Sequence, residues 1–118
     1  MIYRAINQTR NITLAEHVES AHSLWKRMKG LLGIKELPSG HGIWIHPCRS
    51  IHTFFMHFSI DALFISKSGH VVKIFENFPP FRVTPIILEA FGVLELPAGE
   101  IQKYMTKPGD HLVFEALL

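Results

Sequence analysis

The chain has little that could staple it together from outside its own core. It holds one cysteine, Cys48, in 118 residues, so no disulfide can form within it. A lone thiol fits a reducing compartment better than an oxidising one. Charge is also scarce. Asp, Glu, Lys and Arg make up 19% of the residues against 47% apolar, below the quarter usual for soluble domains. That balance excludes a disordered, charge-rich chain, and it leaves apolar surface to meet a ligand or another chain. No apolar run approaches about 18 uninterrupted residues, so no helical membrane span is expected. The opening Met1-Ile2-Tyr3-Arg4-Ala5-Ile6-Asn7 lacks a charged stretch followed by an apolar one. It does not read as a secretory leader, and cytoplasmic residence is the expectation. Internal repeats and low-complexity tracts are missing too. The length suits one core, so residues 1–118 are expected to form a single domain.

The charge that is present is uneven. The net value is +2, with +4 in residues 1–59 and −2 in residues 60–118. Lys26, Arg27, Lys29 and Lys35 supply most of the positive excess. Nucleic-acid binders usually set such charges in a stripe with stacking aromatics. Here they read as a solvated helix end, and nucleic acid is not an expected partner.

Apolar alternation predicts short strands at 2–6, 12–19, 43–46, 51–56, 61–66, 71–75, 93–96 and 111–116. Helical spacing of Leu24, Met28 and Leu31 or Leu32, with Ser20 as a cap, predicts a helix over 21–29. A second short helix is predicted from Pro97-Ala98-Gly99-Glu100 to Met105. Lys67-Ser68-Gly69-His70 marks a hairpin turn. Segment 82–91 is ambiguous, because Pro85 interrupts it. Strands mostly follow strands, so the expected architecture is mainly β (α+β). It is a compact, antiparallel, strongly curled or barrel-like sheet of seven or eight short strands with two short helices.

A series of blocks carries a family likeness. They are Arg27-Met28-Lys29-Gly30-Leu31-Leu32-Gly33, Gly40-His41-Gly42-Ile43-Trp44 and Ser50-Ile51-His52-Thr53-Phe54-Phe55-Met56. Ile60-Asp61-Ala62-Leu63-Phe64-Ile65, Gly69-His70-Val71-Val72, Leu94-Glu95-Leu96-Pro97-Ala98-Gly99 and Gly109-Asp110 follow in order. Together they resemble the DUF192 family of small, largely prokaryotic domains. The resemblance implies a mainly β domain and brings no catalytic mechanism. After Met56, His57-Phe58-Ser59 stands where many relatives look to have Lys-Asn-Thr. A role needing that lysine or amide is therefore not implied here.

Segment 46–61 concentrates the reactive side chains. His46, Cys48 and His52 are ligand types suited to zinc, with water as a fourth ligand. Their spacing lacks a Cys-x-x-Cys or a helical His-x-x-x-His pair, so loop and core-edge histidines are the plainer account. Cys48 as nucleophile, His46 or His52 as base and Asp61 as orienting acid would make a small hydrolase. No oxyanion loop accompanies them. A third reading places His52, Thr53, Met56 and Asp61 around a pocket or rim with Arg82 beside it; its alternative has His52 and Thr53 hydrogen-bond to neighbouring loops and fix the closure of the barrel. Asp61, expected in apolar surroundings, would need a partner such as Arg49, Arg82 or His52. Asp110, after Pro108-Gly109, reads as a turn former. Phe78 and Phe81 read as core material first, and the alternative for Phe78-Pro79-Pro80-Phe81 is an exposed, proline-stiffened contact loop beside Arg82. The favoured expectation is a non-catalytic module that binds a small molecule or a protein and needs no cofactor. The alternative is the thiol or metal enzyme.

Overall fold

The computed structural model describes residues 1–21, 37–54 and 56–117. Among them run seven strands: β1 (Ile2–Asn7), β2 (Ile12–Ala21), β3 (His41–Ile45), β4 (Ile60–Ile65), β5 (Val71–Phe78), β6 (Gly92–Pro97) and β7 (Leu112–Ala116). One five-residue helix, α1 (Glu100–Tyr104), lies between β6 and β7. The strands form a single sheet in the order β5-β4-β6-β3-β2-β1-β7. The chain is mainly β, as its alternation implies.

Three local expectations change. Residues 20 and 21 belong to β2, where Ser20 pairs with Trp44 of β3, so Ser20 caps no helix start. The rest of the helix expected over 21–29 lies outside the described residues. The described residues of segment 51–56 form no strand and make one bridge, His52 to Val83. And β2 pairs with β3 in parallel, while the other strand pairs are antiparallel. Residues 22–40 connect β2 to β3, a length that allows the crossover a parallel pair requires.

The sheet curls until its two edge strands touch. His70 bridges His111, the Val71 N–H donates to the Asp110 carbonyl at 2.9 Å, and the Leu112 N–H donates to Gly69 at 2.8 Å. Register shifts in the β1–β2 and β4–β5 pairs mark bulges, which raise local twist and help close a sheet. The enclosed side holds Leu14, Val18, Leu63, Ile65, Leu94, Leu96 and Leu112, with Ile101 of α1 among them.

All six residues of β4 are buried, because both faces of the strand are covered. Leu63 and Ile65 point into the curled interior, while Ile60, Ala62 and Phe64 point outward into a second cluster with Ile51, Met56, Ala90 and Val93. Two loops, 46–59 and 79–91, supply that outer cover.

Helix α1 has no side-chain cap of its own: Gly99 stands at its N-cap with φ 96°. Asp61 of β4 takes that role from a distance. Its Oδ2 accepts the N–H groups of Gly99 at 3.1 Å and Ile101 at 2.8 Å, and its Oδ1 accepts that of Asn77 at 2.8 Å. A helix start leaves backbone donors unmatched, and a carboxylate answers them well. Asp61 is fully buried and sits with backbone amides, not with Arg49, Arg82 or His52. Asp110 is a turn residue that also binds the chain's start: its Oδ2 accepts from Asn7 at 2.9 Å, Arg10 at 2.7 Å and the Lys107 N–H at 3.0 Å. Burial pushes its carboxyl up, but the hydrogen bonds from Asn7, Lys107 and Arg10, with the Arg10 charge, outweigh that and hold it below the ordinary range.

Candidate functional site

The two outer loops are laced to each other along their length. The Cys48 N–H donates to Phe91, Ile87 to Arg49, Thr84 to Ile51, Thr53 to Arg82 and Phe81 to Thr53, all at 2.8–2.9 Å. Side chains reinforce the lacing. Thr53 Oγ1 donates to the Pro79 carbonyl at 2.6 Å and accepts from the Arg82 N–H at 3.0 Å. Ser50 Oγ donates to the Thr84 carbonyl at 2.9 Å, and Thr84 Oγ1 accepts from the Ile51 N–H at 3.0 Å. Prolines 79, 80 and 85 cannot continue a regular ladder. Hydroxyls therefore satisfy backbone groups that a strand would have paired.

The residues singled out in the sequence separate within this frame. Thr53 is fully buried and Met56 is 5% exposed, packed in the outer cluster. Asp61 points to the opposite side of the sheet, where its carboxylate holds α1. His52 is half-buried and stacks on Phe54 at 5.0 Å. Arg82 is exposed, with its backbone joined to Thr53. The structure thus brings His52, Thr53, Met56 and Arg82 into one loop layer and leaves Asp61 outside it.

The enzyme constellation separates too. Cys48 packs against the outer cluster and its Sγ donates to the Ser50 carbonyl at 3.0 Å. His46, after β3, lies 3.2 Å from Ser20 Oγ through its Nε2 and packs in a cluster of three rings with Trp44 at 5.5 Å and Phe91 at 5.8 Å. Asp61, with both oxygens accepting backbone amides across the sheet, does not orient either imidazole. Among the described residues no three His, Cys, Asp or Glu side chains are grouped to hold a metal ion. His46, Cys48 and His52 each face a different neighbour: Ser20 for His46, the Ser50 carbonyl for Cys48 and the Phe54 ring for His52.

Beside exposed Arg49, His57, Arg82 and Glu89, the loops present large apolar side chains to solvent. Phe54, Phe81, Val83, Ile86, Leu88 and Phe91 are 37–72% exposed. Beside Phe91 lies an open cavity of about 460 Å³ lined by Pro47, Cys48, Arg49, Ala90 and Phe91. Of this apolar face the sequence motif Phe78-Pro79-Pro80-Phe81 with Arg82 marks only one end. The signal for the rest was available: Pro85-Ile86-Ile87-Leu88 is an apolar run that a proline keeps out of helix and strand.

A family model matches residues 5–114, that of DUF192, described as "Uncharacterized ACR". The chain belongs to the DUF192 family. A UPF0127 protein of Pyrococcus horikoshii is 30% identical to it over 112 residues, covering 91% of this chain and 95% of the relative. A UPF0127 protein of Thermococcus sibiricus is 30% identical over 115 residues, covering 93% of this chain and 73% of the relative. A solved structure from Sinorhizobium meliloti 1021, described as a candidate transcription regulator, superposes with a TM-score of 0.77 at 28% identity. It covers 96% of this chain and 92% of that one. A protein of unknown function from Novosphingobium aromaticivorans shares the fold, with a TM-score of 0.78 at 20% identity, covering 96% of this chain and 84% of that one. DUF192 is a family without an assigned reaction, and these relatives bring none. Among the described residues no helix is long and apolar enough to cross a membrane.

Proposed function

We propose that this DUF192 protein is a non-catalytic interaction module whose working face is the laced loop layer. The observation that carries the reading is the exposure of Phe81, Val83, Ile86 and Leu88, each 56–72% open to solvent on one short segment. Large apolar side chains gathered on a loop that is itself firmly held mark a contact surface more often than a defect of folding. His52 and Arg82 form the rim of this face. Thr53 and Met56 hold it from beneath, and Asp61 contributes only by fixing the sheet and α1 behind it. Residues 1–118 act as one domain in this reading, supported by a single sheet that runs from residue 2 to residue 116. Cytoplasmic residence is part of the proposal and is supported by the lone Cys48 thiol.

The test is crosslinking in the native host, with a photoreactive phenylalanine analogue at position 88 and, as control, at Lys67 on the β4–β5 hairpin. A discrete adduct from position 88 that is missing from position 67 is expected. With the analogue placed at position 83 instead, an adduct is also expected there, and the double variant I86S/L88S should abolish it while keeping folding stability within about 0.5 kcal/mol, as befits exposed sites. Identical products from positions 88 and 67, or none from either, would refute the reading.

A further inference from the structure

The cavity at the edge of the loop layer has a chemistry that the apolar face does not explain. Its floor and walls come from two backbone segments fixed to each other and to the sheet. The Cys48 N–H donates to Phe91 at 2.9 Å, Ile87 to Arg49 at 2.8 Å, and Phe91 to Ile65 of β4 at 2.8 Å. The space is therefore built before any ligand arrives, and preorganised walls reduce the entropy cost of binding. Its volume, about 460 Å³, falls in the range of small-ligand sites.

Among the described residues, Arg49 is the only cation lining it. Arg49 is exposed, and its Nε donates to the Ala90 carbonyl at 3.3 Å, which tethers the guanidinium and uses one of its five N–H donors. Among the described residues it forms no ion pair. Glu89, beside Ala90 in the chain, is exposed and does not pair with it. The other walls are apolar or weakly polar: Pro47, Ala90, the Cys48 thiol and the ring of Phe91, which is 37% exposed. His46 stacks on that ring at 5.8 Å.

We infer that this cavity binds a small monocarboxylate with a planar or compact apolar body. The carboxylate would lie on the Arg49 fork, which matches its two oxygens. The body would lie on Phe91 and Pro47. A dianion such as phosphate suits the cavity less well, since among the described lining residues a single guanidinium stands against its two charges. The inference stands on this geometry alone and does not require the apolar loop face to have a partner.

The probe is benzoate, titrated into the full chain while backbone amide NMR shifts are followed. Saturable shifts centred on Cys48, Arg49, Ala90 and Phe91 are expected, with a Kd of about 1 mM or tighter. Benzamide, which keeps the ring and loses the charge, should bind about tenfold more weakly, as should benzoate to Arg49→Met. Arg49→Lys should recover part of the affinity, and Lys67→Met, a charge loss at a distant turn, should change nothing. Inorganic phosphate should not compete. Three results would overturn the inference: no saturable shift, shifts centred elsewhere, or equal binding of benzoate and benzamide. The loop variant I86S/L88S separates the two readings, because it should leave benzoate affinity intact even where it abolishes crosslinking.

Discussion

Two regions on opposite sides of β4 treat their surroundings differently. On the curled inner side, Asp61 answers three backbone amides and apolar neighbours such as Leu63, Leu94 and Ile101 are sealed from water. On the outer side, the loops 46–59 and 79–91 are also well bonded, through Thr53, Ser50 and Thr84. Yet they leave Phe81, Val83, Ile86 and Leu88 uncovered. Backbone satisfaction and apolar burial are separable demands. The inner region meets both, as a scaffold must. The outer region meets the first and not the second, which is the signature of a surface that is held in shape in order to be met.

That contrast can be broken by experiment, most severely at Asp61. Asp61→Asn keeps the volume but puts an amide donor against backbone donors. It is expected to cost about 2–4 kcal/mol in urea unfolding. A loss below half of that would mean that α1 is held mainly by Ile101 packing and not by the carboxylate. Thr53→Val tests the outer region in the same way. Removing its hydroxyl unpairs the Pro79 carbonyl and the Arg82 N–H, for an expected loss of about 1–2 kcal/mol. Amide exchange should quicken at Phe81 and Thr84 and stay slow along β4, if the loop layer opens separately from the sheet.

The smallest effect concerns Asp110, which ties the last turn to Asn7 and Arg10. Its carboxyl is held below the ordinary range in the folded chain. The folded value is lower than the unfolded one, so its stabilising contribution is complete above the unfolded value of about 3.9. That contribution fades as the pH falls through the folded value. Urea midpoints measured from about pH 6 down to about pH 2 should fall at the acid end, and Asp110→Asn should flatten part of that fall. An unchanged acid limb would place the sensitivity in another carboxylate.

The alternation in segments 61–66 and 71–75 was legible as strand because each buries a definite face, and a period of two follows from that. The hairpin at residues 67–70 was legible because Gly69 takes φ 91°, which few other residues tolerate. Segment 51–56 misled for the same reason. Its alternation is real, but Ile51, Thr53 and Met56 are buried by a proline-broken partner loop and not by a ladder. Asp61 was recognised as a buried carboxylate needing partners, while their identity was hidden. They are backbone N–H groups 16, 38 and 40 residues away, and amides carry no sequence signature. Arg49 was noticed only as a partner for Asp61, because nothing local shows that residues 87–91 fold back to make it the charged wall of a cavity.

By itself, the sequence determined the strand-rich class, the main turns, the family and the absence of any covalent staple. These depend on local sterics and on the short-range pattern of apolar residues. Only the tertiary structure decided the parallel β2–β3 pairing, the reach of Asp61 to α1 and the division of segment 46–61 between two sides of a sheet. It also decided which apolar residues stay outside. Each depends on where distant segments meet, and β4 between its two covers is the place where that meeting assigned Asp61 to the scaffold and the laced loops to the surface.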